Sequence, residues 1–152
     1  MPALIKFFYL KPCSGLRERN KLKAFLPSLF KVEKKELISL SYIFCPDDYL
    51  LKMNKEYLKH DYYTDIISFD LSDSEKTIEG EIYISIDRVV ENAINHGVSV
   101  KEEIHRVIFH GALHLCGYRD KTLRDKQKMT IAEDHYLQKY FFSCSTGKKV
   151  SG

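Results

Sequence analysis

Residues 110–120 carry the sequence HGALHLCGYRD, which places two histidines and an aspartate around a glycine. His110 and His114 are four residues apart, so on a helix they project from the same face. Gly117 can adopt the left-handed conformation that ends a helix, so the chain can fold back and bring Asp120 to both imidazoles. Two histidines and one carboxylate leave a coordination position open, as catalytic zinc sites do. The spacing therefore predicts one zinc ion, or another divalent transition metal, bound by His110, His114 and Asp120.

Two other interpretations of this stretch stay open from the residues alone. Metallopeptidases use the helical pattern H-E-x-x-H, in which the Glu is the general base. Position 111 here is Gly111, so peptide hydrolysis lacks its carboxylate. Two histidines at helical spacing can also be ordinary core or surface residues, but the glycine turn and the third ligand type favour a metal site.

HGALHLCGYRD resembles the signature of the YbeY family of metal-dependent endoribonucleases. Three further blocks resemble the same family in order and spacing: MNKEY at 53–57 followed by Asp61, TDIISF at 64–69, and GEIYIS at 80–85. The resemblance covers about residues 36–130, and neither the first 35 residues nor the tail carries a motif. It implies a mixed four-stranded sheet with a metal cleft at one side.

The resemblance also implies a function. It predicts a zinc-dependent endoribonuclease specific for single-stranded RNA, which acts in maturation of the 3′ end of 16S ribosomal RNA and in ribosome quality control. The implied partners are ribosomal RNA and the small ribosomal subunit, in the cytoplasm.

Two positions depart from the family pattern. The third ligand of the family is usually His, whereas this chain has Asp120, which also binds zinc but adds a negative charge. Leu58 stands where the family has an Arg that is expected to hold phosphate. Arg119 or His60 could replace that contact, and a surface role for Arg119 is the alternative.

Composition describes a single globular domain with an uneven charge distribution. The 152 residues are 44% hydrophobic and 30% charged, with a net charge of +3. Residues 1–35 hold nine Lys or Arg against two Glu, a net charge of +7, so the remainder carries −4. Clustered positive charge suits a polyanion, and a solvated helix face is the alternative. Four cysteines without a C-x-x-C pair suit a reducing cytosol, and the sequence has no apolar run long enough to span a membrane.

The pattern of apolar residues predicts an α+β (mixed α/β) domain over residues 1–142 and a flexible tail over 143–152. We expect strands at 3–9, 37–45, 64–70 and 80–86, with a polar loop at 71–79. We expect helices at 16–30, 47–58, 87–96 and from Ser99 through the histidines, and a last helix that opens at Asp120 or Thr122. Asp47 and Asp87 are the expected N-caps of the second and third helices.

Other polar residues have candidate supporting roles. Asp65 and Ser68 are expected either to orient the imidazoles or to make ordinary turn and strand bonds. Glu103 shares a face with His110 but is expected to face solvent, and His96, His105 and His135 are expected to be structural. The attacking group is either a metal-bound hydroxide or a neighbouring 2′-OH. Tyrosines near the motifs could stack on bases or pack in the core: Tyr57, Tyr62, Tyr63 and Tyr118.

Rival functions remain. The chain could be a non-catalytic ribosome-associated factor with a structural metal, which the missing Arg at Leu58 favours and the open coordination position disfavours. It could also be a metallohydrolase of another phosphoester or of peptides.

Overall fold

The computed structural model describes residues 2–149, with side chains described for residues 2–142. Within that range the chain forms four strands and five helices. The strands are β1 (Leu4–Tyr9), β2 (Glu36–Cys45), β3 (Ile66–Asp70) and β4 (Thr77–Ser85). The helices are α1 (Arg19–Val32), α2 (Asp47–Leu58), α3 (Ile86–His96), α4 (Val100–Leu115) and α5 (Leu123–Lys149). The backbone of α5 thus continues through residues 143–149 of the expected tail, whose side chains lie outside the described part, and the flexibility expected for residues 143–152 stays a prediction.

The strands form one mixed sheet in the order β1-β2-β4-β3. Strands β1, β2 and β4 run parallel, and β3 runs antiparallel to β4. This confirms the expected α+β domain with a four-stranded mixed sheet. No helix of the described residues is both long and apolar enough to cross a membrane.

The core lies between one face of the sheet and helices α1, α4 and α5. Alternating side chains of β2 and β4 point into it, as the period of a strand requires. Helix α4 is its centre: Ile104 and Ile108 are fully buried, and the hydroxyl of Tyr42 donates to the carbonyl of Ile108 at 2.9 Å. The helix that the sequence predicted from Ser99 through the histidines is therefore largely buried. Because α4 is fixed against the sheet along its length, the histidines near its end have a rigid support.

The bounds of α1 and β4 differ from the sequence prediction. Helix α1 begins at Arg19 rather than at Leu16, which is buried but precedes the helix, and it continues past Pro27 to Val32. Strand β4 begins at Thr77 rather than at residue 80, because Thr77 pairs with Glu36 at the start of β2. That pairing shortens the expected loop at 71–79. The polar sequence of this segment did not indicate that its last residues would join the sheet.

The predicted N-caps of α2 and α3 were wrong. Asp47 is the first residue of α2, and its carboxylate accepts from the hydroxyl of Ser85 at 2.9 Å and from the guanidinium of Arg88 at 3.1 Å. Ser85 caps α3 by accepting from the Arg88 N–H. Asp87 instead forms a 2.6 Å ion pair with Lys11. Both carboxylates therefore bind side chains that are distant in the sequence, instead of capping the nearest helix as the local pattern predicted.

Three further helix ends agree with the sequence. Ser99 caps α4 by accepting from the Glu102 N–H at 3.0 Å. Gly97, at φ 67°, ends α3. Of the two expected starts of the last helix, Thr122 is the one observed: its hydroxyl accepts from the Asp125 N–H at 3.0 Å.

Candidate metal centre

The end of α4 presents the two histidines and then reverses the chain. Helix α4 ends at Leu115, and Gly117, two residues later, has φ 109°. Residues with a Cβ rarely adopt this backbone conformation. The N–H of Gly117 donates to the carbonyl of His114 at 3.0 Å, and the N–H of Tyr118 donates to the carbonyl of Leu113 at 3.1 Å. These bonds close the helix end in the manner of a Schellman motif. The predicted glycine turn is confirmed, and it directs Asp120 back towards the helix.

Each of the two imidazoles is oriented by a hydrogen bond from its own Nδ1 atom. The Nδ1–H of His110 donates to Oε2 of Glu133 at 2.6 Å. The Nδ1–H of His114 donates to the carbonyl of Tyr118 at 3.0 Å. Both acceptors lack a proton to give, so the tautomer follows from the network. In its neutral form each ring therefore keeps the Nε2 lone pair free, which is how proteins prepare histidines to bind metals.

Asp120 lies beside His110 but does not bond to it. Its Oδ2 is 3.9 Å from Nε2 of His110, which is too long for a hydrogen bond. Two ligand atoms that lie about 2.0–2.1 Å from a tetrahedral zinc ion are about 3.3 Å apart, so this spacing is close to that of a ligand pair. Among the described side chains, no three His, Cys, Asp or Glu residues are gathered tightly enough to hold an ion. The donor chemistry of the site, two imidazoles and a carboxylate, fits zinc, and the ring of His114 is exposed to an incoming ion.

Glu133 is the residue of this site that sequence reasoning missed. It is buried on α5, with 6% of its surface exposed, and its Oε1 accepts from the guanidinium of Arg106 at 2.9 Å. Arg106 also donates to Asp134 at 2.6 Å. A signal was available, because Glu133 falls within a buried stripe of α5 at helical spacing. The stripe consists of Met129, Ala132, Tyr136, Leu137 and Tyr140.

The carboxylates around His110 determine its protonation. Burial alone would lower the pKa of His110, but the bond from its ring to Glu133 and the charges of Glu133, Asp65 and Asp120 outweigh burial and raise it. Burial raises the pKa of Asp65, and the charge of His110 opposes that rise. Asp65 directly precedes β3, so the start of this strand adds a carboxylate to the electrostatic environment of the imidazole.

Three other polar residues that the sequence analysis considered do not contact the two imidazoles in the way expected or lie away from them. Ser68, in the middle of β3, forms no hydrogen bond to an imidazole within the described part of the chain. His60 follows α2, is exposed, and stacks on Tyr62 with ring centroids 5.1 Å apart. The expectation that Glu103 faces solvent was wrong: it is 4% exposed, and burial raises its pKa while the charge of His96 opposes the rise.

The phosphate-binding candidates are on the surface. Arg119 is exposed directly before Asp120 and lines a shallow groove with Tyr118 and Lys128. Leu58, the last residue of α2, is 41% exposed and offers no charge.

The tyrosines near the motifs divide into two groups. Tyr57, Tyr62 and Tyr63 expose half or more of their surface. Tyr118 is half-buried and donates to the carboxylate of Glu33 at 3.1 Å, as Tyr136 also does. The exposed rings keep accessible surface beyond their own contacts with Phe69, His60 and Arg88, whereas Tyr118 is held in the structure.

Packing explains why position 111 is glycine. A Cβ added to Gly111 would lie 2.9 Å from Cδ1 of Ile66 and 2.9 Å from Cδ1 of Ile82, both on the sheet. The residue after His110 therefore faces the sheet at close approach. A peptidase glutamate would not fit there, so the geometry disfavours peptide hydrolysis.

Comparison with known proteins gives a consistent result. A sequence model of the family described as Endoribonuclease YbeY matches residues 16–141. The Endoribonuclease YbeY of Cytophaga hutchinsonii is 52% identical over 80% of this chain and 85% of its own length. That of Flavobacterium psychrophilum is 46% identical over 81% of this chain and 87% of its own length. The solution structure of TM1509 from Thermotoga maritima superposes with a TM-score of 0.67 at 25% identity, covering 95% of this chain and 93% of that one.

Proposed function

This chain belongs to the Endoribonuclease YbeY family, and we propose that it cleaves single-stranded RNA at a zinc site formed by His110, His114 and Asp120. The proposal rests first on the state of the two imidazoles. Each donates Nδ1–H to a fixed acceptor and leaves Nε2 free, and the carboxylate of Asp120 lies 3.9 Å from one of these atoms.

The protein's own groups would divide the work of the site. Glu133 and the Tyr118 carbonyl hold the rings of His110 and His114, so that the Nε2 atoms lose little rotational freedom when a metal binds. A bound zinc ion supplies a Lewis acid that polarises a phosphoryl oxygen. Arg119 can hold a neighbouring phosphate through two parallel N–H bonds. It would replace the family Arg, whose position Leu58 occupies in this chain.

The proposed substrate is ribosomal RNA. Single-stranded segments expose bases that can stack on aromatic rings, and Tyr57, Tyr62 and Tyr63 offer such rings on the surface. The resemblance of the motifs to the family extends the proposal to maturation of the 16S RNA 3′ end on the small ribosomal subunit, in the cytoplasm.

Cleavage of a labelled single-stranded RNA tests the proposal directly. Protein stripped of metal by a chelator is assayed before and after zinc is added back, with the same RNA annealed to its complement as the duplex control. His114→Ala removes one ligand, and His135→Ala removes an exposed histidine outside the site. We expect zinc to restore cleavage of the single strand in wild type and in His135→Ala but not in His114→Ala.

Other outcomes would contradict the proposal in distinct ways. RNA binding without cleavage at any zinc concentration would favour the ribosome-associated factor. Equal cleavage by His114→Ala and wild type would place the catalytic centre elsewhere.

The proposed phosphate contact of Arg119 is tested separately, through the salt dependence of RNA binding. Replacing it with Ala should weaken RNA binding without releasing zinc, and should flatten the plot of log affinity against log salt by about 0.7, the value for one contact to a single strand. Equal slopes for Arg119→Ala and wild type would make Arg119 an ordinary surface residue.

A further inference from the structure

A strongly basic groove lies between β1 and the start of α1, apart from the metal centre. Arg17, Arg19, Lys21 and Lys23 line it, together with a single carboxylate from Glu18. Phe7 of β1 forms part of its wall. We infer that this basic groove is a second contact surface for single-stranded RNA, an inference that rests on the proposed function.

The four cations of the groove have no carboxylate partners. None of them forms an ion pair within 4.0 Å among the described residues, whereas Arg88 and Arg106 each bind two carboxylates. Positive charge concentrated without compensation creates a local potential that attracts anions. The groove is therefore suited to a polyanion such as the RNA backbone.

The placement of these charges works against the helix itself. The first turn of α1 contains no acidic residue, and it carries Arg19 and Lys21 at the end where the helix dipole is positive. Arg19 and Lys23 are also a like-charge pair at i,i+4, which destabilises an isolated helix. A bound anion would reverse both effects, so the arrangement favours binding over the stability of the free protein.

Aromatic rings accompany the cations. The guanidinium of Arg19 lies 5.7 Å from the ring of Tyr9, and Nζ of Lys23 lies 6.0 Å from the ring of Phe7. Both rings belong to β1, an edge strand of the sheet. Cations beside aromatic faces are the combination that binds single-stranded nucleic acid, because the cations contact the phosphates and the bases stack on the rings.

An anionic membrane would also attract this charge, but α1 lacks what membrane insertion requires. An interfacial helix needs a free apolar face, and the apolar face of α1 is already buried in the core. Its members Leu22, Leu26, Leu29 and Phe30 are fully buried. RNA is thus the better-supported ligand.

The groove and the metal centre lie at opposite edges of the sheet. The groove borders β1, and the carboxylate environment of His110 includes Asp65 at the start of β3. These strands occupy the two ends of the order β1-β2-β4-β3, about 14 Å apart at about 4.7–4.9 Å per strand. Only a strand of several nucleotides can contact both, so the groove should favour long substrates.

The test compares two variants that each remove four positive charges. R17Q/R19Q/K21Q/K23Q neutralises the groove, and K31Q/K52Q/K76Q/K139Q removes exposed lysines elsewhere. Binding of labelled RNAs of 4 and 24 nucleotides is measured by fluorescence anisotropy across salt concentrations, with chelator present so that no cleavage occurs. The milder R19Q/K23Q variant is measured in parallel, and thermal unfolding checks the fold of each protein.

The groove variant should lose more affinity for the long RNA than for the short one, because only the long RNA can contact both surfaces. Four lost contacts should flatten the log-log salt slope by about 2.8, so that wild type loses about 50-fold more affinity than the variant between 50 and 200 mM salt. R19Q/K23Q should show about half the change in slope, and the control variant little change.

Equal slopes for the groove and control variants would overturn the inference. Loss of binding to vesicles rich in phosphatidylserine, with RNA binding intact, would also overturn it and favour a membrane surface. Because binding is measured without metal, a failure of cleavage would count against the proposed function and not against the groove.

Discussion

Replacing Glu133 by Gln should weaken zinc binding without changing any of the proposed ligands. The carboxylate of Glu133 accepts from His110 through one oxygen and from Arg106 through the other, at 2.6 and 2.9 Å. A Gln side chain has the same length but a single acceptor oxygen. Either the imidazole or the guanidinium therefore loses its partner, and His110 is no longer held by a charged acceptor.

The expected magnitude follows from the bond that is lost. Mutating the hydrogen-bond partner of a metal-binding histidine lowers metal affinity by about 10–100-fold. At about 1.4 kcal/mol per tenfold change, this is about 1.4–2.8 kcal/mol. A hydrogen bond to a charged group contributes about 1.5–3 kcal/mol, so the two figures agree. The fold should survive, because Arg106 keeps its 2.6 Å bond to Asp134.

Competition with a chromogenic zinc chelator measures this affinity. Asp134→Asn is the matched control, because Asp134 also accepts from Arg106 but is 59% exposed and does not touch His110. We expect an affinity loss of about 10–100-fold for Glu133→Gln and close to wild-type affinity for Asp134→Asn. Glu133→Gln with wild-type zinc affinity would refute the role assigned to Glu133.

Three further results are expected. Asp120→His should retain zinc, because both side chains bind it and the exchange restores the usual family ligand; metal analysis that finds zinc lost from a folded variant would show that the third ligand lies elsewhere. Gly111→Ala should lower the free energy of unfolding by about 1–3 kcal/mol, because its methyl group would meet Ile66 and Ile82 at 2.9 Å; an unchanged denaturant midpoint would mean that the sheet yields freely. His105 is buried, and burial holds its pKa below the usual value, although its bond to the Lys101 carbonyl opposes this. The folded state therefore favours the neutral imidazole of His105. Its contribution to stability is fully present above the unfolded pKa of about 6.5 and is lost as the pH falls below that value. His105→Phe should therefore lose less stability than wild type between pH 7 and pH 5, and an equal loss in both proteins would contradict the assigned pKa shift.

The sequence predicted the parts of the site that depend on local geometry. The spacing of His110 and His114 and the glycine at 117 act through the helix period and a left-handed turn, and neither needs knowledge of distant residues. The same holds for the capping of α4 by Ser99, which lies three residues from its partner.

The remaining features depend on contacts between residues far apart in the chain. Glu133 reaches His110 across 23 positions, and Asp47 gives up its capping role for partners 38 and 41 positions away. Glu103 is buried where α3 packs against α4, and Nδ1 of His96 at the end of α3 lies 3.8 Å from its Oε1. A polar residue in a predicted helix can face water or a distant partner, and only the packing of the helices decides between them.

The central claim is that a single zinc site at the end of α4 carries out RNA cleavage. Titrating zinc into the chelator-stripped protein while measuring the initial rate on a single-stranded RNA tests it most directly. We expect the rate to rise from background and reach a plateau at about one equivalent of zinc per chain, as a three-ligand catalytic site implies. Full activity before zinc is added, or a plateau reached with no zinc bound to the protein, would contradict the claim.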